Sequence, residues 1–169
     1  VASFNGHLGC VTPLLDAQAS PDIAYGGLGG TTPLHAACAS GQSECVGALI
    51  AAGASFELVD EEDGATPLYT ACENGSLDCA LALLAAGANA NVRAADDGTP
   101  LFAAAFNEHV ALLEPLLLAR ASVDAQSVAG TALTISAAYG NVDAVRALLD
   151  AGADTSLLHD GQTPLEVAR

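Results

Sequence analysis

Apolar positions along this chain come in pairs of short runs, and each pair opens on the same polar-to-apolar step. The step reads Thr66-Pro67-Leu68-Tyr69-Thr70-Ala71. It returns as Thr32-Pro33-Leu34-His35-Ala36-Ala37, Thr99-Pro100-Leu101-Phe102-Ala103-Ala104 and Thr163-Pro164-Leu165-Glu166-Val167-Ala168, with a degenerate copy at Thr131-Ala132-Leu133-Thr134. Successive threonines are 34, 33, 32 and 32 residues apart. A period this regular is the mark of a solenoid.

The step predicts a helix start. Threonine accepts a hydrogen bond from the free N–H groups of a first helical turn, and proline at the first helical position gives up a donor that has no partner there. Nine residues after the threonine stands Gly41, Gly75 or Gly140, with Glu108 as the exception. Glycine at that place ends the first helix in a left-handed turn. Twelve residues further on stand Gly53-Ala54, Gly87-Ala88 and Gly152-Ala153, with Arg120-Ala121 as the exception. The second apolar run, such as Leu77 to Ala86, lies between these marks. The unit is helix, tight turn, antiparallel helix, glycine stop, and an irregular or hairpin stretch to the next threonine.

This unit resembles the ankyrin repeat, in its TPLH-A start, its Gly-His/Asn turn and its Gly-Ala stop. The resemblance covers nearly the whole chain; Ala132, Glu108 and Arg120 are local departures. It implies an all-α ankyrin-repeat solenoid of helix-turn-helix repeats joined by hairpin-like fingers. On that expectation residues 1–169 form one domain: a partial repeat and long finger over 1–29, full repeats over 30–63, 64–96, 97–128 and 129–160, and a partial repeat over 161–169. Both ends then cut through a repeat, and solenoids need polar caps, so the sequence reads as a fragment of a longer chain or one capped by others.

Finger length varies. From Ala19, Ala54, Ala88, Ala121 and Ala153 to the next threonine the steps are 13, 12, 11, 10 and 10 residues. The long N-terminal fingers suggest contacts; drift is the alternative. Pro13 and Pro115 fall at one shared position inside second helices and are expected to shorten or bend them.

Charge narrows the partners. The net charge is −16, and the four basic residues are Arg93, Arg120, Arg146 and Arg169, with no lysine. Nucleic-acid binding needs cationic side chains against phosphate, so it is excluded, and anionic membrane surfaces are disfavoured. No apolar run approaches the ~18 residues of a spanning helix. The acid either keeps the chain soluble or meets a basic protein.

Candidate chemistry is sparse. The Gly26-Gly27-Leu28-Gly29-Gly30 run lacks the lysine that a phosphate loop carries, and no cofactor is expected. Asp60-Glu61-Glu62-Asp63-Gly64 does not match the alternating oxygens of a calcium loop, and no metal site is expected. Asp-Gly before the threonine is ordinary turn chemistry. Cys10, Cys38, Cys45, Cys72 and Cys79 fall on two repeat positions and read as reduced core filler, with no C-x-x-C pair for zinc. That implies an intracellular, reducing compartment, with the cytoplasm favoured and an organelle not excluded. No nucleophile or acid–base constellation appears, so no catalytic residue and no enzyme activity are expected.

Ankyrin-like repeats imply protein binding through the inner helices and finger tips. The acidic finger residues Asp60, Glu61, Glu62, Asp63, Asp96 and Asp97 are candidate contacts. On the inner helices, Tyr69, Glu73, Phe102, Phe106 and Tyr139 make a candidate aromatic and acidic patch. The alternative is that Tyr69 and Phe102 replace the TPLH histidine and pack on neighbouring loops. On the outer helices Leu81, Ala85 and Leu118 occupy positions where charge is usual, giving a candidate apolar back. The expected function is a non-catalytic scaffold, a structural subunit or segment of a hetero-complex. The alternatives are an adaptor that binds a basic or apolar peptide transiently and a targeting domain of a larger enzyme.

Overall fold

Thr-Pro-Leu begins a helix wherever it occurs. A computed structural model of the chain describes residues 1–24 and 30–168; of the glycine-rich run, Gly26 to Gly29 lie outside them. The inner helices are α2 (Pro33–Ala39), α4 (Pro67–Glu73), α6 (Pro100–Phe106), α8 (Ala132–Ala138) and α10 (Pro164–Val167). Thr32, Thr66, Thr99, Thr131 and Thr163 cap them, each hydroxyl accepting from the N–H three residues on. Such a cap stabilises a helix by about 1 kcal/mol. Ala132 in place of proline leaves α8 at the same length, so the threonine rather than the proline sets the start.

The outer helices are α1 (Leu8–Asp16), α3 (Ser43–Ala51), α5 (Leu77–Ala86), α7 (Leu113–Leu118) and α9 (Val142–Asp150). Inner helices pack in chain order, α2 on α4, α4 on α6, α6 on α8 and α8 on α10, and each of α2, α4, α6 and α8 packs on the outer helix that follows it. The core is therefore a line of leucine, alanine and cysteine between two helical layers. Leu34, Leu68, Leu83, Leu113, Leu116 and Leu148 are fully buried. Alanines such as Ala37, Ala71 and Ala104 let neighbouring inner helices approach.

The turns keep their shape where glycine is missing. Gly75 has φ +70°, and Glu108 at the same repeat position has φ +61°. Arg120, in the place of Gly87, has φ +63°. A left-handed non-glycine residue costs roughly 1–2 kcal/mol, so the packing on both sides holds these turns against local preference.

The two prolines behave differently. Before Pro115 the outer helix opens as a 3₁₀ turn over Val110–Leu112, and α7 is only six residues long. α1 runs its full nine residues with Pro13 inside. The expected shortening does not occur there, although Gly9 and Ala111, the residues whose carbonyls lose a bond to the two prolines, are alike exposed.

The fingers are hairpin-like, with no strand among the described residues. Their tips close by Asp60 N–H to Ala65 O (2.8 Å), Ala94 to Gly98 (2.9 Å), Ser127 to Gly130 (2.9 Å) and His159 to Gln162 (2.9 Å). These closures span six, five, four and four residues, in step with finger lengths of 12, 11, 10 and 10. The length differences therefore sit in the tips, and the stems are uniform.

One core position is mismatched. Ser136 in α8 occupies the place of Ala37, Ala71 and Ala104, and its hydroxyl is buried with no hydrogen-bond partner. Ser136→Ala is expected to stabilise the chain by about 1 kcal/mol, the desolvation penalty of an unsatisfied hydroxyl. Urea unfolding followed by circular dichroism reads this as a higher midpoint at unchanged slope.

Candidate protein-binding surface

Two ladders of hydrogen bonds fix one finger relative to the next. In the first, an acceptor side chain three residues past each stop alanine takes the N–H just past the next stop. Asp22 accepts from Ser55 N–H (2.9 Å), Glu57 from Asn89 (2.9 Å), Asn91 from Ser122 (2.7 Å) and Asp124 from Asp154 (2.8 Å). Sequence reasoning missed these four residues as a set, although their spacing follows the repeat and was legible. In the second ladder, finger tips touch directly: Thr31 Oγ1 donates to Asp60 (2.7 Å), Ala95 N–H to Asp63 O (2.8 Å) and Val128 N–H to Asp96 O (3.3 Å). Arg93 adds a clasp by donating to the carbonyls of Asp97 and Gln126.

Histidine carries the tie from inner helix to finger once. His35 Nδ1 accepts from Thr32 N–H (3.3 Å), so Nε2 bears the proton and donates to Ala65 O (3.0 Å). Burial lowers the His35 pKa, with the Ala65 carbonyl opposing the shift. Acid therefore favours the unfolded chain at this residue: stability from neutral His35 is full above the ordinary histidine range and is lost as pH falls from that range through the lowered folded value.

Tyr69 and Phe102 hold the same repeat position, and of the two readings of them, an open patch or a replacement for the TPLH histidine packed on neighbouring loops, their burial corrects the first and favours the second. They are 8% and 5% exposed. The third residue past the threonine lies under the adjoining finger, as His35 does, and cannot present its ring to a partner. Burial, followed by the carboxylates of Asp96, Glu73 and Asp63, raises the Tyr69 hydroxyl far above its ordinary value.

Phe106 and Tyr139 do face solvent, at 41% and 49% exposed. The Phe106 ring sits 5.8 Å from that of Phe102 and 5.7 Å from that of Tyr139, tilted in both pairs. Buried Phe102 is thus the foot of a three-ring step whose top is open. Glu73 occupies in α4 the place that Phe106 occupies in α6. Its pKa is raised, first by partial burial and then by Asp63 and Asp96. His109 Nε2 donates to the Glu73 carbonyl (3.1 Å) and holds the next repeat's turn against the end of α4.

Of the finger acids, Glu61, Glu62, Asp63, Asp96 and Asp97 are exposed and Asp60 is half-buried. Asp60 accepts from Thr31 and from Glu62 N–H, Asp63 from Ala65 N–H and Asp96 from Gly98 N–H. Each of these three carboxylates shapes its own turn. The ion pairs among the described residues, Arg146–Asp143 and His159–Asp160, lie elsewhere.

On the outer helices Leu81 is 42% exposed, Leu118 78%, and Ala85 is exposed. They lie on the side of the stack away from the inner helices.

All five cysteines are free thiols. Cys38, Cys45, Cys72 and Cys79 are buried, but Cys10 is exposed, against the expectation that all five fill the core. Cys79 lies against Cys38 of the repeat before it, whereas nothing among the described residues stands there for Cys10. Burial pushes the Cys72 thiol well up, and contact with Cys79 together with burial does so for Cys38. Among the described residues no group of three His, Cys, Asp or Glu side chains is placed to hold a metal ion, and no helix is long and apolar enough to cross a membrane.

Capped helix pairs, a stitched row of fingers and a line-shaped core define the chain as an α-helical repeat solenoid. A family model described as ankyrin repeats (3 copies) matches residues 1–96 and 101–169. The chain belongs to the ankyrin-repeat family, whose members generally mediate protein–protein interactions. No curated protein matches it at a significant level.

Proposed function

We propose that the chain is a non-catalytic scaffold that holds a basic protein partner against its acidic fingers, as a segment of a hetero-complex. One observation carries this reading. Glu61, Glu62, Asp63, Asp96 and Asp97 stand exposed on two neighbouring fingers, and Arg93, the one arginine there, is engaged by backbone carbonyls. Such a surface repels acidic proteins and speeds encounter with basic ones.

The absence of lysine makes a clean test possible. Zero-length carbodiimide coupling joins carboxylates to amines. Within this chain the side chains supply carboxylates and no amine, so products that join it to a second chain through a lysine report contacts with the partner. Applied to the protein isolated with its neighbours, coupling is expected to concentrate on Glu61, Glu62, Asp63, Asp96 and Asp97. Coupling confined to Asp143, Asp150 and Asp160 would contradict the reading.

The exposed outer-helix residues support a second contact. Leu118 at 78% exposure is well beyond what packing within the chain explains. A subunit fixed through this side would leave the assembly when Leu81 and Leu118 are both changed to glutamate, and its retention would remove that contact from the account.

A further inference from the structure

The proposal here rests on the scaffold reading and specifies what the partner presents. Phe106 and Tyr139 form a rigid apolar step on the open face of the inner helices, anchored from below by Phe102. Aromatic side chains held this way make good anchors because little rotational freedom remains to be lost on binding. One repeat earlier, at the equivalent position, the same face carries Glu73 instead of a ring, with Asp63 and Asp96 on the adjoining fingers. None of these three carboxylates has an ion-pair partner among the described residues. The face therefore changes from acidic to apolar across a single repeat.

We infer that this face takes an extended segment of a protein partner, with a lysine or arginine over Glu73, Asp63 and Asp96 and an apolar side chain on Phe106 and Tyr139. Charge complementarity selects the basic residue, and the three-ring step selects its apolar neighbour. Spacing follows from the repeat. Adjacent packed helices lie ~8–10 Å apart. In a polyproline II strand residues i and i+3 point the same way and are about 9 Å apart. The two side chains are thus three residues apart.

The raised pKa of Glu73 fits the same arrangement. Partial burial, and after it repulsion from Asp63 and Asp96, holds its carboxyl above the usual range, and a cation over the cluster opposes both by favouring the charged form.

The probe is a set of fluorescent nonapeptides carrying one arginine and one leucine at separations of one to five residues. Companion peptides carry the arginine alone, the leucine alone, or a glutamate for the arginine. Fluorescence anisotropy against the full chain is expected to show tightest binding at a separation of three, about tenfold or more above arginine alone. Phe106→Ala should bring that peptide down to the arginine-alone level. Glu73→Gln should weaken it about fivefold and flatten its salt dependence. Both sites are exposed, and cooperative thermal melts with parent-like circular dichroism, Glu73→Gln being no less stable than the parent, confirm that the variants fold.

Affinity that follows charge alone whatever the separation, affinity untouched by Phe106→Ala, or no binding at all would each overturn the inference. Should the peptides fail while carbodiimide coupling still marks Asp63 and Asp96, this inference falls and the scaffold reading stands. Should both fail, the scaffold reading falls with it.

Discussion

Leu68→Ala is expected to destabilise the chain by about 2–5 kcal/mol and to split its unfolding in two. Leu68 is completely buried in α4, and α4 packs on α2, α5 and α6 at once. Removing three carbons there opens a cavity in the core beside α4. In a globular core such a loss is shared by the whole domain. In a stack each repeat draws stability only from the repeats beside it, so the weak link lies between α2–α3 and α6–α9. Hydrogen exchange should report low protection around α4 and α5 while α6 and α8 keep theirs. The urea transition should broaden, with a smaller apparent slope as two-state behaviour is lost. A single sharp transition, shifted but unbroadened, would mean that the repeats unfold as one body.

Salt is expected to move two measurements in opposite directions. Twenty acidic residues against four arginines leave a charge of −16, and acids on neighbouring fingers repel across the whole stack. At ~0.01 M salt the screening length is about 30 Å; at ~1 M it is about 3 Å. Raising salt therefore removes internal repulsion and raises the melting temperature of the free chain. It also removes the attraction that draws a basic partner to the fingers, so the complex weakens, by about tenfold or more between ~0.05 and ~0.5 M. Glu73 adds a pH counterpart in the free chain. Its carboxyl is raised in the folded state, so between the ordinary glutamate range and that higher value folding takes up a proton. Stability therefore declines as pH rises through this window. Light scattering and calorimetry on the same samples check both signs. A complex indifferent to salt would mean that the fingers do not make the contact.

Much of this was written locally in the chain. A threonine cap needs only the three residues after it, so all five inner helices were legible from Thr32 to Thr163. Finger length was legible too, because it is a count of residues, and the structure places the variation at the tips. What stayed open was which side of an inner helix a ring would meet: an open patch and a seat against the neighbouring loop both fitted Tyr69 and Phe102. Tyr69 and Phe106 stand on neighbouring inner helices, three and seven residues past their threonines. The first lies beneath an adjoining finger and the second does not, and that depends on where another repeat's loop passes. Cys10 failed for a related reason: its periodic position matches Cys45 and Cys79, but burial there is supplied by the preceding repeat. Ser136 is a different case. Its core position was plain from its equivalence to Ala71, yet the missing hydrogen-bond partner only appears once the neighbours are in place.

At 16.7 kDa the chain is small enough for residue-by-residue nuclear magnetic resonance, and titrating isotope-labelled protein with the partner protein that co-purifies with it addresses the central claim directly. The account predicts that shifts gather at Glu61 to Asp63, at Asp96 and Asp97, and on the rings of Phe106 and Tyr139. Shifts confined to α5, α7 and α9, with the fingers and both rings unmoved, would contradict it.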